Sequence, residues 1–266
     1  MTTLVTLESS AGVATITLDS PSNRNALSAD LVAQLLEHLA TAGDDPAVRS
    51  VVLTHTGGTF CAGADLAGAL GSGMSPEEAS AAGAKAMVSV MRTILELPRP
   101  VVARVDGHVR AGGIGLLGAC DVVVAGPAST FALTEARLGL APSVISLTLL
   151  SRMTSRSVGR YFVTGERFGA AEAESMGLIT VAAADADALA STARDILDAI
   201  GKGSPQGLRE SKKVATAQIR AEFERFAEDR TRESAALFAS DEAREGMTAF
   251  LEKRPPRWAV GEPAAT

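Results

Sequence analysis

Three stretches of the chain combine residue types and spacing that could do chemistry. The first, Gly57-Gly58-Thr59-Phe60-Cys61-Ala62-Gly63-Ala64-Asp65-Leu66, is a run of small side chains directly after a buried strand pattern at Val51-Val52-Leu53. Small residues let a ligand approach the backbone and leave amide N–H groups free to donate; a plain glycine-rich turn has the same composition. The second, Asp106-Gly107-His108-Val109-Arg110-Ala111-Gly112-Gly113-Ile114-Gly115-Leu116, follows a strand ending at Val105 and opens a short helix. The unpaired N–H groups and the dipole of a helix start favour negative charge there. The third is Glu135, a carboxylate among small and apolar neighbours in Phe131-Ala132-Leu133-Thr134-Glu135-Ala136-Arg137-Leu138-Gly139-Leu140. As an ordinary first-turn carboxylate it would pair with Arg137 or be capped by backbone amides.

Several function classes fall away. Gly113-Ile114-Gly115-Leu116-Leu117-Gly118 matches the dinucleotide fingerprint G-x-G-x-x-G, but its context does not. A nucleotide-binding βαβ unit places its first glycine at the strand end and a full helix before the next strand. Here residues intervene after Val105, and Val122 follows almost at once. No His or Cys cluster has metal-ligand spacing, so no metal is expected. The net charge of −6 and the 4% aromatic content argue against nucleic acid, which needs clustered cations and stacking platforms. Cys61 and Cys120 sit in apolar or small-residue segments, as in a reducing compartment. No apolar run reaches the roughly 18 residues of a membrane span, and the amino terminus has no signal-peptide pattern, so the expected location is the cytoplasm.

The elements that must position these stretches are legible from periodicity. Residues 4–8 and 13–19 alternate as a hairpin, and a helix starts at Ser28 with Leu31, Leu35 and Leu39 on one face beside Leu36. Ser75-Pro76-Glu77-Glu78 is a strong helix start, followed by the stripe Met87, Val90, Met91, Ile94 and a stop before Pro98 and Pro100. Residues 101–105 and 121–125 are β-branched strands. From Asp185 onward the pattern becomes long helical periodicity with dense charge. At 266 residues the chain is expected to form an α/β core over 1–200 and a helical carboxy-terminal module over 201–266, packed on its own core or on a neighbour. Phe223, Phe226 and Leu237 are expected on exposed helix faces that mark an interface.

Asn25-Ala26-Leu27, the Phe60 to Leu66 run, the Gly112-Gly113 turn leading to Ala119-Cys120-Asp121, residues 131–142, and the ending Glu245-Gly246-Met247-Thr248-Ala249-Phe250-Leu251-Glu252-Lys253-Arg254 occur in one order along nearly the whole chain. That set resembles the crotonase superfamily, the enoyl-CoA hydratases/isomerases. The resemblance implies a spiral of ββα units, a carboxy-terminal α-helical trimerisation module, and a homotrimer or hexamer. It implies an acyl-CoA substrate, with coenzyme A as part of the substrate and no separate cofactor. It places oxyanion-hole N–H groups on Ala64 and Gly112, worth about 3 kcal/mol each for a developing enolate, and the catalytic glutamate at Glu135. In an apolar pocket that carboxyl would rise toward neutrality and suit proton transfer. Ala62, Asp65 and Leu66 would lie beside the adenine, and Phe250 and Lys253 would reach the nucleotide.

The chain departs from the family pattern at Gly115, where hydratases carry a second glutamate. Adding water is easiest with two carboxylates; moving a double bond needs one group that takes a proton from one carbon and returns it to another. A single acid therefore favours isomerase-like chemistry. His108 and Arg110 are the nearest polar residues in sequence, a loop histidine and a surface or phosphate-facing cation in their ordinary roles. The same hole also serves thioester hydrolases, decarboxylases and C–C lyases, and an acyl-CoA-binding oligomer with weak catalysis is the reading from a different class. Residues 67–75, with three glycines, are expected to form a mobile lid that sets acyl fit.

Overall fold

Ala11 and Gly12, with φ of 50° and 79°, close a two-residue turn between β1 (Val5–Ser10) and β2 (Val13–Leu18). Positive φ at both positions matches the twist of a tight hairpin. In this computed structural model, which describes residues 2–65 and 76–260, β2 then runs parallel to β3 (Ser50–His55). Beyond β3 come β5 (Val101–Val105), β7 (Val122–Ala125) and β10 (Val181–Ala182), giving a six-stranded sheet in the order β1-β2-β3-β5-β7-β10. The crossover helices follow the expected stripes. Ser28 caps α1 (Ala29–Asp44) by accepting from the Leu31 N–H, and Leu31, Leu35 and Leu39 are fully buried. Met87, Val90, Met91 and Ile94 form the buried face of α2 (Pro76–Glu96).

A second sheet has strands of only two or three residues: β4 (Thr59–Cys61), β6 (His108–Arg110), β8 (Thr130–Ala132) and β9 (Phe168–Gly169), in that order. Between them lie α3 (Gly112–Ala119), α4 (Ser146–Arg152) and α5 (Ser155–Thr164), and α6 (Ala170–Ser175) follows β9. The fold is the expected α/β class with parallel sheets and a helical carboxy-terminal region. Cys61 and Cys120 are free and buried, and burial pushes both thiols up to about 12, which leaves them unreactive.

The carboxy-terminal helices are α7 (Ala186–Gly201), α8 (Pro205–Ala215), α9 (Ala217–Phe238) and α10 (Asp241–Leu251). Helix α9 packs along α2 and α4, and α10 packs on a short 3-10 turn at Glu135–Leu138. This corrects the expectation for Phe223, which is 2% exposed and joins the main core with the Arg92 guanidinium 5.7 Å from its ring. Phe226 and Leu237 are partly buried rather than exposed. Among the described residues the large apolar side chains that face solvent are instead Leu150, Val163, Val214, Phe250, Leu251, Trp258 and Val260.

Lys212 fastens α8 to the sheet. Its ammonium donates to Asp121 Oδ2 at 2.8 Å and to the carbonyls of Ile94 at 2.7 Å and Arg99 at 3.0 Å, which uses all three of its donors. Asp121 Oδ2 also accepts the Val101 N–H at 2.7 Å. Burial pulls the ammonium below its usual range and Asp121 opposes that pull. Lys212→Met should therefore destabilise the fold by about 3 kcal/mol, because it strands a buried carboxylate and two carbonyls. Urea unfolding of the variant checks this; a midpoint equal to the parent's would show that the pair contributes nothing.

Candidate active site

The second sheet brings the three chemical stretches to one edge. β4, β6 and β8 are parallel neighbours, with Cys61 opposite Val109 and Val109 opposite Phe131. Three residues beyond Cys61 is Ala64, three beyond Val109 is Gly112, and four beyond Phe131 is Glu135. Parallel strands are about 4.8 Å apart, so all three emerge side by side at the carboxyl ends of the strands, where open α/β sheets bind ligands.

Backbone geometry fixes the two amide turns. Asn25, fully buried at φ 53°, accepts from the Ser20 N–H at 2.7 Å and donates to the carbonyls of Thr56 at 3.2 Å and Thr59 at 2.7 Å. Asn is among the few residues that take this left-handed conformation readily. The strand-like stretch that follows docks on the small-residue run: the Leu27 N–H donates to Gly63 O at 2.8 Å, and the Ala62 N–H donates to Arg24 O at 3.1 Å. Ala111 precedes Gly112 in a rare conformation, φ 44° and ψ −114°. Strain of this kind at a non-glycine residue concentrates at functional sites. A Cβ on Gly63 would stand 3.1 Å from Ala111 Cβ and 3.7 Å from the Gly112 nitrogen, so the two turns touch. Among the described residues neither the Ala64 nor the Gly112 N–H donates to a backbone carbonyl. At the roots of the same loops, the Asp106 N–H donates to His55 Nε2 at 3.2 Å and the His108 N–H to Gly58 O at 3.0 Å. A donor on Nε2 assigns the His55 proton to Nδ1, which faces Thr56 O, and burial keeps the ring below its usual pKa.

Glu135 opens the 3-10 turn after β8, which ends at Gly139 with φ 71°. The residue is partly exposed, but Oε2 is buried and, among the described residues, has no hydrogen-bond partner. Burial raises the carboxyl to about 7, partly opposed by its own backbone N–H. Arg137 is turned away and donates to Thr164 O at 3.0 Å, so the ion pair that would make Glu135 merely structural does not form. A largely buried carboxyl that titrates near neutrality, with no charged partner, can both take and return a proton.

The glycines of the apparent dinucleotide fingerprint serve packing. A Cβ on Gly113 would lie 2.8 Å from Cys61 Cβ, and one on Gly118 would lie 2.6 Å from Thr148 Oγ1. On Gly115 it would lie 2.5 Å from Ile145 Cγ2, 2.9 Å from Ile145 Cβ and 3.1 Å from Met87 Cε. Ile145 and Met87 thus fill the space beside Gly115, a role their sequence context does not signal. His108 and Arg110 are engaged elsewhere. His108 Nδ1 meets Thr130 Oγ1 at 2.8 Å, and Arg110 donates to the carbonyls of Val109 and Thr130 and to Thr130 Oγ1.

Ala62 is partly buried, Ala64 is exposed and Asp65 is intermediate, at the open end of the small-residue loop. Leu66 and the expected lid at 67–75 lie outside the described residues. Phe250 is 56% exposed on the last turn of α10, and Lys253 is exposed just beyond it at φ 55°. Among the described residues no group of His, Cys, Asp and Glu is arranged to hold a metal ion, and no helix is long and apolar enough to cross a membrane.

Comparison with known proteins agrees with this architecture. The family model for enoyl-CoA hydratase/isomerase matches residues 8–261. Enoyl-CoA hydratase EchA19 of Mycobacterium tuberculosis is 31% identical over 245 residues, covering 91% of this chain and 91% of that protein. Carnitinyl-CoA dehydratase of Proteus mirabilis is 31% identical over 258 residues, covering 95% of this chain and 97% of that protein. Among solved structures, an enoyl-CoA hydratase from Mycobacterium avium is similar with a TM-score of 0.90 at 53% identity, covering 97% of this chain and 100% of that one.

Proposed function

The chain belongs to the enoyl-CoA hydratase/isomerase family of acyl-CoA enzymes, and from that premise we propose that it moves protons on a thioester enolate with Glu135 as its only catalytic carboxylate. The N–H groups of Ala64 and Gly112 hold the thioester oxygen. With a 3-enoyl-CoA, ionised Glu135 takes a proton from the carbon next to the thioester. The electron pair moves into the carbonyl, where the two N–H groups stabilise the charge. Protonated Glu135 then returns the proton to the far carbon, and the double bond has moved. Nothing else is consumed, so the reading needs no metal and no cofactor beyond the coenzyme A of the substrate.

The observation that carries this proposal is the Glu135 carboxyl, its Oε2 buried without a hydrogen-bond partner among the described residues, at the same sheet edge as the two amide turns. The apolar contacts of Ile145 and Met87 at Gly115 support double-bond migration over water addition, since they leave no room for a second acid. Ala62, Asp65 and Leu66 are the proposed adenine contacts, with Phe250 and Lys253 reaching the nucleotide. The apolar side chains left exposed on the monomer, Val163 and Leu251 among them, support assembly into a homotrimer or hexamer. Light scattering should give three or six chains, and a stable monomer at micromolar concentration would count against it.

An acyl-CoA panel assayed in parallel for water addition and double-bond migration tests the reaction. Migration should exceed hydration on matched chains, and dominant hydration would overturn the single-acid reading. Hydrolysis, decarboxylation or C–C cleavage would show another use of the same enolate site. Binding of acyl-CoA without any turnover would favour a binding oligomer.

A further inference from the structure

The last helix touches the turn that carries Glu135 at backbone distance. A Cβ on Gly246 of α10 would lie 2.5 Å from the carbonyl oxygen of Leu138, 2.6 Å from its carbonyl carbon and 2.7 Å from its Cα. In the other direction, a Cβ on Gly139 would lie 2.6 Å from the carbonyl carbon of Glu242 and 2.8 Å from the Ala243 nitrogen. These are main-chain atoms, which cannot swing aside as a side chain can, so only hydrogen fits at either position. Gly139 has a second reason to be glycine, its φ of 71°. Gly246 has none: it lies inside a helix, where alanine is the preferred residue. Only the contact with Leu138 accounts for it.

The segment that follows α10 also clasps the helix beside Gly246. Glu245, whose side chain is 10% exposed, receives two N–H groups of Arg254 at 2.8 and 3.1 Å and the backbone N–H of Arg257 at 2.9 Å. Arg254 first, with that N–H, holds the Glu245 carboxyl down at about 2. The lock adjoins Gly246 in sequence, and Leu138 ends the turn that Glu135 begins.

We propose that Gly246 is a positioning residue for Glu135: by letting α10 close to main-chain contact with Leu138 and Gly139, it seats the 3-10 turn so that the Glu135 carboxyl stays dry. The inference rests on the reading of Glu135 as the proton carrier. Its physical basis is that burial, with no neighbouring charge, sets the proton affinity of that carboxyl. The charged groups on the packed elements are engaged or exposed. Arg137 on the turn bonds Thr164 O; Arg160 on α5 pairs with Glu166 and Glu172; on α10, Asp241 pairs with Arg244, Glu245 is locked, and Glu242 is exposed. A methyl at 246 must lift α10 from the turn, which admits water to the carboxyl and lets it fall back toward the ordinary carboxylate range.

The test is Gly246→Ala in the full chain, read by carbon-13 NMR titration of the labelled Glu135 carboxyl and by the pH profile of turnover. The Glu135 midpoint should drop by about one pH unit or more. The rate constant kcat should fall about tenfold to a hundredfold with KM within about twofold, as for a displaced catalytic group. Lys212→Met, which weakens the fold away from this turn, should lower the melting temperature and leave the titration in place. If Gly246→Ala does not fold, Glu245→Gln loosens the lock without a clash and should move the midpoint in the same direction. A Glu135 midpoint unchanged in both variants, or an ordinary midpoint in the parent protein, would overturn the proposal. The NMR titration does not depend on turnover, so it separates this proposal from the function: an active Glu135→Gln variant would sink the proton-carrier reading whatever Gly246→Ala does to the midpoint.

Discussion

Glu135→Gln should lower kcat a hundredfold to ten-thousandfold while acyl-CoA still binds with KM nearly unchanged, the usual contribution of a positioned acid or base. The amide keeps the shape of the side chain but can neither take nor return a proton. The same change should alter stability in a pH-dependent way, and the sign follows from the raised carboxyl. In the folded protein Glu135 titrates at about 7, against 4.5 for the free side chain. Below pH 4.5 the group is neutral in both states and costs nothing by ionising. As pH rises through 7, the unfolded chain holds a solvated carboxylate while the folded protein must bury one. Stability is therefore lost across that window, by about 3 kcal/mol for a displacement of this size.

Gln does not titrate, so the stability of the variant relative to the parent should rise by about 3 kcal/mol between pH 4 and pH 8. Comparing two pH values cancels the fixed cost of burying an amide. Urea unfolding of both proteins at the two pH values measures the difference. A parallel pH dependence would mean that the Glu135 carboxyl is not dry, and full turnover in the variant would move the chemistry to another residue. The two outcomes together predict a site that loses stability in order to work, the pattern expected where a charge is buried for function.

How much of this was open to reading from sequence depends on the range of the forces involved. Helix α1 was legible because Leu31, Leu35 and Leu39 repeat at the helical period, and α2 because Met87, Val90, Met91 and Ile94 do the same. The long parallel strands were legible from β-branched runs. The second sheet was not, although it is what aligns Ala64, Gly112 and Glu135. Its strands are two or three residues long, too short for any alternation to register, and their pairing is wholly non-local. The stretches themselves stood out by residue type, and the resemblance to the family picked Ala64 and Gly112 from them and set Glu135 apart from an ordinary carboxylate.

Burial was the other blind spot. Phe223 sits on a charged helix and looks solvent-facing in isolation, but α9 turns it onto α2 beneath Arg92. Lys212 carries no local sign that its ammonium is enclosed, since Asp121, Ile94 and Arg99 come from distant parts of the chain. Gly246 could be read as a family motif residue but not as a main-chain contact, because a glycine leaves no side-chain pattern to interpret. At Gly115 the sequence lacks the carboxylate that the family resemblance leads one to expect, and hides that Ile145 and Met87 fill the space beside it.

That replacement decides what Gly115→Glu should do. As a single change it should fail to create a hydratase and should destabilise the protein strongly. The new Cβ would fall 2.5 Å from Ile145 Cγ2 and 2.9 Å from Ile145 Cβ, atoms at the root of a β-branched side chain that has few rotamers to retreat into. Overpacking of this kind costs about 1–3 kcal/mol, and enclosing a second carboxylate between Ile145 and Met87 adds several more. A combined loss of roughly 5 kcal/mol would lower the folded-to-unfolded ratio by three orders of magnitude or more. Removing the obstacle should change the result. Ile145 is the N-cap residue of α4, a position that tolerates glycine, and also a buried core residue, so Ile145→Gly clears both conflicting atoms and leaves a cavity that the new glutamate side chain refills in part. Gly115→Glu with Ile145→Gly should then fold and raise water addition to a 2-enoyl-CoA relative to double-bond migration. Two carboxylates in one small pocket raise each other's pKa, which confines the gain to the pH range where one is ionised and the other protonated. Thermal denaturation and the ratio of the two rates across pH 5 to 9 decide the matter. A well-folded single variant would show that the packing at Gly115 yields more readily than its geometry implies. A folded double variant with no gain in hydration would show that the absent acid is not what separates this site from a hydratase.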